Sequence, residues 1–217
     1  MSSPDSNHKG LPPPQQQIAD RSPWIFWLVS ILTVGGLVFV MLTNSHNPTK
    51  HPAVGKPGPD ISVMPLIGQA ASLEISPTEG SAEPVILLHF WGTWCPPCRQ
   101  EYAEIAEMAS EVTLMSADDF RFVSVSCEPS VGSNSFESLR TATLEFYSQI
   151  GIEIPTYCDP YGHTRVAAAK VLGRHGMSFP TTILIDGDGK VTGVWEGYSR
   201  NGVNQMREAI ESDLAIN

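Results

Sequence analysis

One corner restricts this chain more than any other stretch. Two cysteines stand one helical turn apart where a wholly apolar strand gives way to a helix. Val85–Trp91 (VILLHFW) is a short apolar run and reads as a buried strand. Gly92, Thr93 and Trp94 follow, then Cys95-Pro96-Pro97-Cys98. From Pro96 to Val112 the residues Tyr102, Ile105, Met108 or Ala109, and Val112 recur at helical spacing. A strand that feeds directly into a helix lifts both sulfurs to the edge of a sheet, beside the free N–H groups and the positive dipole end of that helix.

The pattern on either side extends this corner into an α/β domain. Phe120–Cys127 alternates large and small residues and reads as a strand. Phe136, Leu139, Thr143, Phe146 and Ile150 mark one face of a second helix. Ile154–Cys158 is a short strand, and Thr164–Leu172 is a helix closed by Gly173. Thr181–Asp186 and Lys190–Trp195 are strands joined by Asp-Gly-Asp-Gly, a hairpin signal. Val203–Leu214 is a last helix with Asn201 as its expected cap. Residues 60–84 alternate more weakly and are expected to supply a leading hairpin or edge strand. The order predicts a mixed sheet with helices on both faces and its last two strands antiparallel.

The front of the chain is different. Residues 1–23 are rich in Pro, Gln and Ser and read as a disordered tail. Trp24–Leu42 carries no charge, and its length nearly matches a hydrocarbon core of roughly 30 Å. Trp24 and Trp27 sit at one end, where indoles favour the headgroup region. Residues 24–42 are therefore expected to be a single membrane anchor. A cleaved signal peptide fits less well, because no A-x-A-like site follows Leu42. Lys9 and Arg21 precede the span and Lys50 and Lys56 follow it, a near tie. Arg21 is the closest, and together with the redox chemistry of the cysteines it sets the expectation of a cytoplasmic amino terminus and a folded domain outside. Residues 43–59, rich in Pro, Asn, His and Gly, read as a linker, with the folded domain at 60–217. The net charge of −10 disfavours nucleic acid as a partner.

The chemistry expected at the corner is thiol–disulfide exchange. A free cysteine has a pKa of about 8.5, and helix amino termini lower it to roughly 3.5–7.5. Pro96 suits the first helical turn, where its missing N–H costs nothing, and two prolines hold the sulfurs at bridging distance. Neither proline adds positive charge, so the pair should lie toward the reducing side. Cys95, nearer the exposed helix end, is the attacking thiolate. Cys98 then displaces it from the mixed disulfide. The redox-active disulfide Cys95–Cys98 is the working group, with no other cofactor and no metal expected. Zinc would need a second pair at short spacing, and Cys127 and Cys158 are 31 positions apart. Copper handling would favour C-x-x-x-C with a nearby histidine, and no peroxide-binding loop supports a peroxidase. Cys127 and Cys158 each end a short strand. They are a candidate second disulfide, with two buried free thiols as the alternative. His89 reads as a hydrogen-bonded strand residue, Arg99 as a solvated helix-start residue and Trp91 as core. His175, five positions before Pro180, is a weaker candidate for the site.

Phe90-Trp91-Gly92-Thr93-Trp94-Cys95-Pro96-Pro97-Cys98 resembles the active-site segment of thioredoxin-like proteins of the TlpA/ResA type. Phe179-Pro180-Thr181-Thr182, followed by Ile183-Leu184-Ile185-Asp186, resembles their cis-proline loop and next strand. The resemblance covers about residues 55–215, with an inserted segment around 129–160. It implies a thioredoxin-like fold. Pro180 would be cis and packed on the dithiol, and Phe179 would offer its backbone to a substrate strand. Trp94, Pro96 and Pro97 would flank the sulfurs. It also implies that Glu101, three residues after Cys98, accepts the Cys98 proton with a raised pKa; read without the resemblance, Glu101 is an exposed acid near the helix start. The implied partners are disulfide-bearing extracytoplasmic proteins and a membrane electron donor, with cytochrome c maturation as one setting. A redox-inert binding or scaffold module on the same fold is the competing reading. Gly92 departs from the family's alanine and is expected to loosen the turn at most.

Overall fold

The computed structural model describes residues 23–43, 47–68, 71–76, 84–130, 132 and 135–216, with side chains in the first stretch described for 24–36. The expected disordered tail, apart from Pro23, lies outside the described residues. The chain forms two compact units, Met1–His46 and Asn47–Asn217. In the first, helix α1 spans Pro23–Thr43, and its described apolar residues, from Trp24 through Val34, are exposed. No helix is long and apolar enough to cross a membrane among the described residues; the expected span over 24–42 runs beyond the side chains described.

The second unit is a seven-stranded sheet with strands β1 (Ile61–Ile67), β2 (Leu73–Ile75), β3 (Val85–Trp91), β4 (Phe120–Ser126), β5 (Thr156–Cys158), β6 (Thr181–Ile185) and β7 (Val191–Glu196). Their spatial order is β2-β1-β5-β4-β3-β6-β7. The pairs β3–β4 and β4–β5 are parallel, and the remaining pairs are antiparallel. Helices α2 (Pro96–Met115), α3 (Phe136–Ile150), α4 (His163–Val171) and α5 (Gly202–Ile216) complete it. The expected leading hairpin is β1–β2, and the Asp-Gly-Asp-Gly turn joins antiparallel β6 and β7.

β3 is buried along its whole length because both faces are covered. Val85, Leu87 and Trp91 face one core with residues of α2, α3 and α5. Ile86, Leu88 and Phe90 face a second core with Ala168 and Leu172 from α4 and its end. This alternation puts the end of β3, and the cysteines after it, at the rim between the two cores.

Residues 47–59, expected to be a linker, are part of the folded unit. A 3-10 turn at Pro48–Lys50 leads to Ala53, which is fully buried in the second core. The Gly55 N–H donates to the Val191 carbonyl, the Val191 N–H to Lys56 and the Gly58 N–H to Gly189. The segment covers the open edge of β7. Its Pro and Gly content hides this role, because it packs through turns and isolated bonds without hydrophobic periodicity.

Candidate active site

Cys95 is the N-cap of α2, and its Sγ accepts the Cys98 N–H at 3.3 Å. The sulfur thus takes the place usually held by a capping oxygen, at the positive end of the helix. Cys95 and Cys98 are bridged, with Cα atoms 5.3 Å apart. Cys95 is 4% exposed and Cys98 fully buried, so an incoming group meets Cys95 first. Pro96 and Pro97 stand exposed between them.

Trp94, 43% exposed, lies across the turn before Cys95. Its Nε1–H donates to the Cys127 carbonyl at 2.9 Å, and its ring meets Phe179 edge-on at 5.3 Å. Gly92 makes this arrangement possible. A Cβ at that position would lie 2.5 Å from Trp94 Nε1 and 2.8 Å from the Cys127 oxygen. The glycine is therefore a close-approach requirement rather than a loosened turn.

The Phe179–Pro180 bond is cis. β6 begins one residue later, and its Thr181 pairs with Phe90 of β3. That register carries the proline loop to the end of β3, where Phe179 packs on the cluster containing both cysteines. The loop and the dithiol, more than eighty positions apart in sequence, thus meet at one rim.

Glu101 is 1% exposed, contrary to an exposed helix-start acid. Burial, with a smaller contribution from Glu104, pushes its pKa up to about 7. Its Oε2 has no hydrogen-bond partner among the described residues, and its Oε1 faces the start of α5, where a Cβ on Gly202 would sit 3.8 Å away. One turn on from Cys98, this carboxyl can hold or release a proton near neutral pH.

Cys127 and Cys158 are separate buried thiols, and the candidate second disulfide is not formed. Cys158 pairs with Ser126 across the parallel β4–β5 ladder, so Cys127, one residue further, turns to the opposite face. Cys158 accordingly joins the first core and Cys127 the second. Burial pushes the Cys127 thiol up to about 12 and that of Cys158 to about 11.

The remaining candidates fall outside the reactive centre. His89 bonds Thr182 through Nδ1 at 2.9 Å, and burial lowers its pKa to about 3, which keeps it neutral. Trp91 is core, its Nε1–H donated to Ser124. Arg99 is exposed, bonded to Gln149 and set over the Phe146 ring. His175 is exposed in a groove that ends at Phe179. Sequence reasoning missed Arg165, which is 8% exposed with its guanidinium 6.0 Å from the Phe179 ring centroid. A lone arginine in a short helix gives no signal of burial.

Residues 54–194 match the AhpC/TSA family. Among curated relatives, the thiol-disulfide oxidoreductase ResA of Bacillus thuringiensis (strain Al Hakam) is 26% identical over 176 residues, 77% of this chain and 84% of that protein. ResA of Geobacillus thermodenitrificans (strain NG80-2) is 25% identical over 200 residues, 91% of this chain and 98% of that protein. Among solved structures, a thiol:disulfide interchange protein of the thioredoxin family from Chlorobium tepidum TLS aligns with a TM-score of 0.53 at 20% identity, covering 78% of this chain and 99% of that one. That likeness shows the thioredoxin-like fold.

Proposed function

This chain belongs to the AhpC/TSA family, and from that premise we propose that it reduces disulfides of extracytoplasmic proteins through Cys95 and Cys98 while held at a membrane by residues 24–42. It is an enzyme of the thiol–disulfide oxidoreductase type, in keeping with its ResA relatives. The observation that carries the reading is the capping sulfur: Cys95 accepts a backbone N–H at the start of α2 beside a buried Cys98.

In the reduced state the same N–H and the helix dipole stabilise the Cys95 thiolate. That thiolate attacks one sulfur of a substrate disulfide. The substrate S–S bond breaks, a Cys95–substrate bond forms, and the other substrate sulfur leaves and takes a proton. Cys98 gives its proton to Glu101, attacks Cys95 Sγ and releases the second substrate sulfur. Two electrons have passed to the substrate, and Cys95–Cys98 is bridged. A membrane electron donor restores the dithiol. The apolar, charge-free sequence of α1 and the exposure of its described residues support the anchor. Cytochrome c maturation is the setting that the resemblance to ResA suggests.

The test is reduction of insulin disulfides by the full chain in detergent, with Cys95→Ser as control. Cys98→Ser should accumulate a mixed disulfide on non-reducing gels. Equal rates for wild type and Cys95→Ser would leave the redox-inert scaffold reading standing.

A further inference from the structure

A groove of about 710 Å³ runs from Phe179 along α4. Arg165, Lys170, Arg174 and His175 line it, and no acidic residue does among the described residues. This is unusual in a chain of net charge −10. Arg174 is already committed to Glu196 at 2.8 Å. Arg165 and Lys170 are not comparably engaged. The Arg165 guanidinium donates to the Glu128 carbonyl at 2.9 Å and rests over Phe179, while its Nε has no partner among the described residues. Asp159 takes the Arg165 backbone N–H at 2.8 Å. Arg165 also lines a smaller cavity with Glu128 and Asp159, so its spare donor is the unpartnered Nε, and the exposed Lys170 is the groove's freely accessible cation.

We infer that this groove binds an acidic, extended segment of the protein substrate flanking its reactive cysteine, with Arg165 and Lys170 receiving its carboxylates. The inference rests on the disulfide-reductase reading and names the substrate class of that site. The position supports it. Phe179 is shared by the two regions, touching Trp94 beside Cys95 on one side and Arg165 on the other. A chain whose cysteine reaches Cys95 therefore has its neighbouring residues directed along α4. Met177 and the exposed Val166 line the same groove and give that chain apolar contact. Charge complementarity of this kind selects partners and speeds their encounter.

The test separates recognition from chemistry. Peptides of about ten residues, each with one S-methylated cysteine and acidic, neutral or basic flanks, are titrated calorimetrically into the oxidised full chain in detergent. In parallel, turnover is followed with hydroxyethyl disulfide, which is small and uncharged. The acidic peptide should bind about tenfold tighter than the neutral one, as one charge-assisted contact provides, and the difference should fade in about 0.5 M salt. Lys170→Glu, on the exposed rim, should reverse the order of acidic and basic peptides even if Arg165→Met fails to fold. Equal affinity for the three peptides, or an order unchanged in Lys170→Glu, overturns the inference. Charge-selective binding without turnover would overturn the reductase reading and leave the groove's preference intact.

Discussion

Replacing Glu101 by glutamine keeps the shape of a buried side chain and removes its ability to ionise. The wild-type carboxyl titrates at about 7 instead of the ordinary 4.5. Between those values the folded chain holds a proton that the unfolded chain has released. The folded state therefore binds more protons, and unfolding free energy falls as pH rises. The loss begins near pH 4.5 and is complete above pH 7, where it amounts to about 3 kcal/mol. Glu101→Gln lacks this loss. The variant should match wild type near pH 4 and exceed it by about 3 kcal/mol at pH 8. Urea unfolding of the oxidised chain at the two pH values measures this difference, and comparison with wild type cancels every other titrating group. The gain in stability should come with a loss of function. With Glu101 as the proposed acceptor of the Cys98 proton, the Cys95–substrate mixed disulfide should persist in the variant, with resolution slowed about a hundredfold or more. An equal stability difference at pH 4 and pH 8 would refute the buried, proton-holding carboxyl.

Three further outcomes follow from the geometry. Gly92→Ala should displace the Trp94 indole, red-shift its fluorescence and lower stability by about 1–3 kcal/mol, as overpacking does. In the native oxidised chain iodoacetamide should label neither Cys127 nor Cys158, and in denaturant without reductant it should label both, as mass measurement would show; an unlabelled denatured chain would mean that they are bridged. A chain begun at Asn47 should unfold like the domain of the full protein, whereas one begun at Asp60 loses two bonds to Val191 of β7 and one to Gly189 before it, and should be weaker by about 3 kcal/mol in urea unfolding.

The strand–dithiol–helix corner was legible because each part has its own local signal: apolar run, paired cysteines, helical spacing. The β6–β7 hairpin was legible for the same reason. What escaped was set by approach between distant segments. Gly92 reads as a minor change until the Trp94 ring is seen lying against it. The 47–59 segment reads as a linker because its bonds go to β7, which lies over 130 positions away. Glu101 reads from its own helix as an exposed acid, and only the resemblance implied its raised pKa; cover from the start of α5 contributes to its burial. The opposed faces of Cys127 and Cys158 depend on a register that no spacing rule supplies.

The two charged groups that matter most to this site come from helices on opposite sides of the sheet. Glu101 lies on α2, which covers the first core, and Arg165 lies on α4, which packs against the second. Separation is what allows each to act. A guanidinium beside Glu101 would hold its carboxyl below the ordinary range and leave it unable to take the Cys98 proton near pH 7. On the α4 side, Arg165 borders a small cavity with Glu128 and Asp159, and Lys170 stands exposed in the groove as a further cation. On the proposed mechanism, the proton acceptor and the proposed anion receptor thus belong to helices that pack on different cores. Proton transfer and substrate selection can then be changed independently.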